Sequence, residues 1–175
     1  MGYVVPVREA GSYFREIIFE RVAPDIGIDL DVYRSPLEHL TDSLSKRFHI
    51  DDLVSPIMSK RFSEVVNAAV KEFNSRSFIP FNERDPEIRR ADCEFFSRAA
   101  DTAIIMVSFF RRNKRYNRQD EFYGEFGKAN YDIAMGFAPP DEAFVFEALR
   151  DNFWRLAGYL ERMKREIGND RYMIH

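Results

Sequence analysis

Cysteine is nearly absent from this chain. Cys93 stands alone in 175 residues, which excludes an internal disulfide and a cysteine-based zinc site. A single thiol fits a reducing compartment, and a cytoplasmic location is the expectation. Long apolar runs are missing too: no span reaches the roughly 18 apolar residues of a membrane helix, and the N-terminus has no apolar stretch of signal-peptide type. The opening MGYVVP lacks the Ser or Thr that a myristoylation signal carries at its sixth position. No membrane association is expected. There is no excess of positive charge, because the net charge of −3 exerts no overall pull toward nucleic acid. Motifs of chemistry are also lacking. There is no glycine-rich phosphate loop, no Gly-x-Ser-x-Gly, no His-Glu-x-x-His, and no Glu-x-x-His pair for a helical di-metal centre. No repeat, low-complexity tract or long linker divides the chain.

Aromatic and apolar residues are plentiful. Hydrophobic residues make up 45% of the chain and charged ones 31%, with 17 Phe and 8 Tyr. A chain of this length can bury about 70% of its unfolded surface in one domain. An aromatic-packed core is the plain reading of the Phe and Tyr content, and an aromatic ligand pocket is the sharper one.

The apolar residues recur with helical spacing. Residues 86–112 form the expected central helix. Asp85 and Pro86 provide a start signal, and Phe96, Ala99, Ala100, Ala103, Ile104, Val107 and Phe110 step by three and four. Before it, residues 1–11 read as an extended arm and Ser12 as the cap of a first helix stopped by Pro24 and Gly27. Asp25 to Tyr33 reads as loop, and Ser35-Pro36-Leu37-Glu38 as a capping box. Ser55-Pro56 opens a further helix through Phe73, followed by a loop over residues 75–83. Asn117 caps a helix ended by Gly136. The glycines inside it, Gly124 and Gly127, call for close approach of another helix or, failing that, a backbone-lined pocket. Residues 140–167 read as one long C-terminal helix. The fold class expected is all-α, a single-domain bundle of about six helices covering 1–175.

The segment from Ala100 to Leu160 resembles a functionally uncharacterised bacterial all-helical family. The resemblance rests on Phe109-Phe110-Arg111-Arg112, Phe122-Tyr123, Gly127 and the stretch Ala129 through Tyr131 to Ala134. It implies a helical fold and no particular activity.

Three residues are weak catalytic candidates. Arg34 and His39 have four residues between them, a spacing similar to that of the helical HEPN ribonucleases, in which the resemblance implies a His and an Arg acting on the scissile phosphate of RNA. Ser35 stands where that motif has a polar Asn, Asp or His, and the capping box accounts for Ser35, Pro36 and Glu38 without catalysis. Asp101 lies among apolar residues of the central helix. If buried it needs a partner, and Arg98 is in reach three residues back; otherwise it reads as a pocket acid. His49, Asp51 and Asp52, with Asp42, read as a solvated turn rather than a metal site, and no metal or cofactor is expected. Cys93 reads as packed.

Two surfaces are candidates for binding. Arg111, Arg112, Lys114, Arg115 and Arg118 put five positive charges in eight residues, with Tyr116 available to stack on a base. A solvated helix end explains the same run. Val145, Leu149, Phe153, Leu156, Leu160 and Met163 follow a near-heptad pattern on the last helix and form the expected interface. The first expectation for function is therefore a non-enzymatic protein–protein interaction or oligomerisation module, with a regulatory role in view. The alternative is a nucleic-acid-directed protein, either a binder through the basic turn or a HEPN-like ribonuclease.

Overall fold

The structure, a computed structural model, describes residues 7–47, 86–109 and 118–174, with residues 7–10, 118–119 and 171–174 described in the backbone alone. The expected helix from Ser55 to Phe73, the loop over 75–83, the turn at His49, Asp51 and Asp52, and residues 110–117 lie outside the described residues. Every element described is helical, so the fold is all-α as expected. Among the described residues no helix is long and apolar enough to cross a membrane.

The chain enters as helix α1, Val7–Arg15, so residues 7–11 are helical and the expected arm is shorter than eleven residues. Ser12 lies inside this helix rather than at its start. The same rod continues as a π-helical stretch, Glu16–Val22, and a short helix α2, Ala23–Ile26. Pro24 accounts for the widened turns. It has no N–H to donate, and its ring crowds the carbonyl four residues back, whereas π spacing carries the Ala23 N–H to the Ile18 carbonyl instead. Gly27 then ends the rod in the left-handed region at φ 68°, which glycine adopts without a Cβ clash.

Helix α3, Leu30–Arg47, starts five residues before the expected capping box. Asp29 is the true cap: its carboxylate accepts the Asp31 N–H at 3.0 Å, and its carbonyl accepts the Tyr33 N–H at 2.9 Å. Pro36 sits within the helix, where it has no N–H to give to the turn before it. The earlier start carries Tyr33 into the core, edge-on to Tyr159 at 5.6 Å. That burial is a long-range gain no local signal contains.

Helix α4, Pro86–Phe109, is the central helix, with Pro86 at its first position as expected. Phe95, Ala100, Ala103, Ile104, Ile105 and Val107 bury most of its circumference. It packs most extensively on helix α5, Arg118–Phe137. Gly136 does not end α5. Phe137 continues it and stacks on Phe96 at 5.8 Å, nearly parallel, before Pro139 and Pro140 turn the chain.

The expected long C-terminal helix is two helices. Helix α6, Ala143–Asp151, and helix α7, Phe153–Ile174, meet at Asn152. The side-chain amide of Asn152 donates to the Ala148 carbonyl at 3.0 Å, competing with the backbone ladder at the break. Gly124 and Gly127 explain how α7 seats against α5. A Cβ on Gly124 would come within 2.4 Å of the Trp154 ring, and one on Gly127 within 2.4 Å of Phe153. The expected close approach of a second helix is what these glycines permit. Polar ties then fasten the N-terminal rod along α7. Tyr13 donates to Asp170 at 2.8 Å, Arg21 to the same carboxylate at 2.6 Å, and Arg162 pairs with Asp25.

Candidate functional site

Helices α3, α4 and α5 converge on Asp101. This carboxylate is 2% exposed, lies on the buried face of α4, and collects donors from both neighbours. Both of its oxygens stand 3.0 Å from His39 Nε2 on α3. The Tyr131 hydroxyl on α5 donates to Oδ1 at 2.7 Å. Ser97, one turn before Asp101 on α4, places Oγ 3.2 Å from the same His39 nitrogen. The His39 ring is also edge-on to Phe146 of α6 at 5.5 Å. Two helical turns toward the end of α3, Arg47 donates to Thr102 Oγ1 at 2.5 Å, and Thr102 in turn donates to the Arg98 carbonyl at 2.8 Å.

The electrostatics follow from burial and charge. Burial pushes the Asp101 carboxyl up, but the His39 charge and hydrogen bond, the Arg47 charge and the Tyr131 hydrogen bond outweigh it and hold the carboxyl below its ordinary range. Burial pulls His39 down, yet the charge and hydrogen bond of Asp101 prevail and raise it. The two partners agree on an ionised pair. Burial, then Asp101, pushes the Tyr131 phenol far up, so it stays a donor. Burial lowers Arg47, whose guanidinium nevertheless stays charged at ordinary pH.

With Nε2–H aimed at a carboxylate, the ring is fixed in orientation. A quarter of the His39 side chain, 24%, remains exposed. Chemically the arrangement stores one exchangeable proton between an accessible imidazole and a sealed carboxylate.

Two of the three catalytic candidates from the sequence meet here, His39 and Asp101. Arg34 has a different neighbour: its guanidinium lies over the Phe19 ring at 5.1 Å, on the side of α3 toward the N-terminal rod. The spacing that resembles the HEPN motif therefore does not bring Arg34 and His39 onto one set of partners. The partner expected for Asp101, Arg98, is exposed, and His39 takes its place, because Asp101 faces inward where a long-range partner can reach it. Sequence reasoning missed Ser97, Arg47 and Tyr131. Ser97 and Asp101 left a signal, two polar residues one turn apart in an apolar helix; Tyr131 left none.

The expected interface residues are core residues. Leu149, Phe153, Leu156, Leu160 and Met163 are buried inside this chain, and Val145 is partly buried against them. Their near-heptad pattern serves the chain's own helices, so it offers no free face to a partner. Of the basic run, Arg111, Arg112, Lys114, Arg115 and Tyr116 lie outside the described residues, and Arg118 opens α5. Cys93 is buried and donates to the Ala134 carbonyl at 3.5 Å; burial, helped by Glu142 and Glu94, pushes its thiol up to about 11, which keeps it an unreactive thiol.

Among the described residues no group of acidic, Cys and His side chains is arranged to hold a metal ion. Compared with protein-family models, with curated proteins and with solved structures, the chain matches none.

Proposed function

We propose that the protein is an interaction module that binds another protein chain, a second copy of itself first, through an aromatic surface on α5 centred on Phe122. One observation carries this reading. Phe122 is 60% exposed, yet it stacks on Phe126 at 6.0 Å and meets Tyr123 edge-on at 5.6 Å. Three aromatic rings held together at the surface form a rigid apolar anchor of the kind that dominates protein interfaces. Most of the Phe122 side chain is exposed, while the heptad-like residues are buried in the core or packed against it.

Native mass spectrometry of the full chain tests the proposal. A multiple of the 20.7 kDa protomer that falls to the protomer in Phe122→Ala is the expected result. A strictly monomeric wild type that captures no protein partner overturns it. The nucleic-acid alternative draws on the five charges of residues 111–118, which end four residues before Phe122. Binding of a single-stranded oligonucleotide that weakens steeply with salt and is lost in Phe122→Ala would replace the protein partner with a nucleic acid.

A further inference from the structure

The junction of α3 with α4 has a buried acid–base pair at its centre. Its buried centre is one carboxylate, Asp101, and its closing group from α3 is one imidazole with an open edge. We propose that His39 is a proton-operated latch, which in its charged form clamps α3 onto α4 and α5 through Asp101 and in its neutral form lets α3 loosen.

Among the described groups at this junction, His39 is the one that switches. From α4 it meets Asp101 and the uncharged Ser97. Tyr131 of α5 reaches it only through Asp101, and α6 presents the Phe146 ring. From its own helix, Asp42 and Lys46 act on it with opposite signs and pair with each other at 2.9 Å, and Arg47 bears on Asp101. Asp101 is held ionised and Tyr131 protonated, so neither changes charge near neutrality. His39 is raised above its ordinary value of 6.5. Its contribution to docking is therefore complete below the unfolded value and fades as pH rises through the folded one. Leu37, Leu40 and Leu44 keep α3 seated by burial, so the change is a loosening and not an unfolding of the domain.

Hydrogen exchange of the full chain, read by mass spectrometry at about pH 6 and about pH 9 with correction for intrinsic exchange, tests the latch. Peptides covering residues 37–47 are expected to lose protection severalfold at the higher pH, while peptides of α4 hold theirs. In His39→Gln, which keeps a donor toward Asp101 without a titrating charge, the protection of α3 becomes independent of pH. Equal pH responses of α3 and α4 in the wild type, or a pH response that survives in His39→Gln, would overturn the proposal. A proton NMR titration of the wild-type imidazole is a second measurement that needs no variant at the latch. The signal is picked out of the chain's three His by His49→Gln and His175→Gln. A midpoint above that of an unfolded histidine is expected; one below it sinks the latch.

Discussion

The contact of α5 with α7 and the contact of α3 with α4 are opposite solutions to joining two helices. The first is held by shape. Gly124 and Gly127 leave room for Trp154 and Phe153, and the Tyr131 ring lies beside Phe153 at 6.5 Å. The second is held by charge and hydrogen bonds, His39 against the buried Asp101 and Arg47 on Thr102. A shape contact fails when volume is added and ignores pH. A charge contact tolerates small volume changes and fails when either charge goes. The lesson is that one domain can keep a part insensitive to its solution next to a part that responds to it.

Removing the charge should have the largest effect. Asp101→Ala strips His39 and Tyr131 of their common acceptor, and breaking such a buried pair costs about 3 to 5 kcal/mol by chemical denaturation. Asp101→Asn, which keeps the shape, should recover part of this. An Asp101→Ala protein as stable as wild type would show the junction to be held by its leucines alone. The pH profile sharpens the same contrast. With His39 raised, wild-type stability relative to His39→Gln should be greatest at acidic pH and shrink as pH rises through the folded value. Thermal melts of the two proteins across that range check the sign.

Adding volume to the shape contact comes next. Gly127→Ala drives a methyl into the fully buried Phe153 ring and to 3.3 Å from Ala103, so a cost of about 1 to 3 kcal/mol is expected despite the gain in helix propensity. Gly124→Ala meets Trp154, which is only partly buried, so its cost should be smaller. Equal costs in urea denaturation would show that the two rings yield alike. The smallest effect belongs to the surface. Arg15→Ala removes an exposed ion pair with Glu38 and should change stability by no more than about 0.5 kcal/mol.

Much of the fold was legible because helical periodicity is a local property. The central helix starts where Pro86 puts it, Gly27 closes the first rod, and the paired glycines of α5 mark a close contact. The errors share one cause. Ser35-Pro36 is a sound cap taken alone, but the Asp29 cap and the burial of Tyr33 together set the start of α3 at Leu30. The C-terminal pattern runs on through Asn152, but the backbone leaves helical geometry there, at φ −114° and ψ 23°. Within the candidate site, Asp101 was conspicuous as a carboxylate among apolar neighbours. Its partners were not, since His39 lies 62 residues away and Tyr131 lies 30.

By itself the sequence determined that this is an all-helical chain, where its apolar faces run, and which carboxylate needed a partner. Each of these depends on residues within a few turns of one another. Only the tertiary structure decided who that partner is, which apolar face is core and which is left outside, and that the heptad-like seam closes on its own chain. Those outcomes depend on which distant helices share a contact, and a contact between distant residues leaves no period to read.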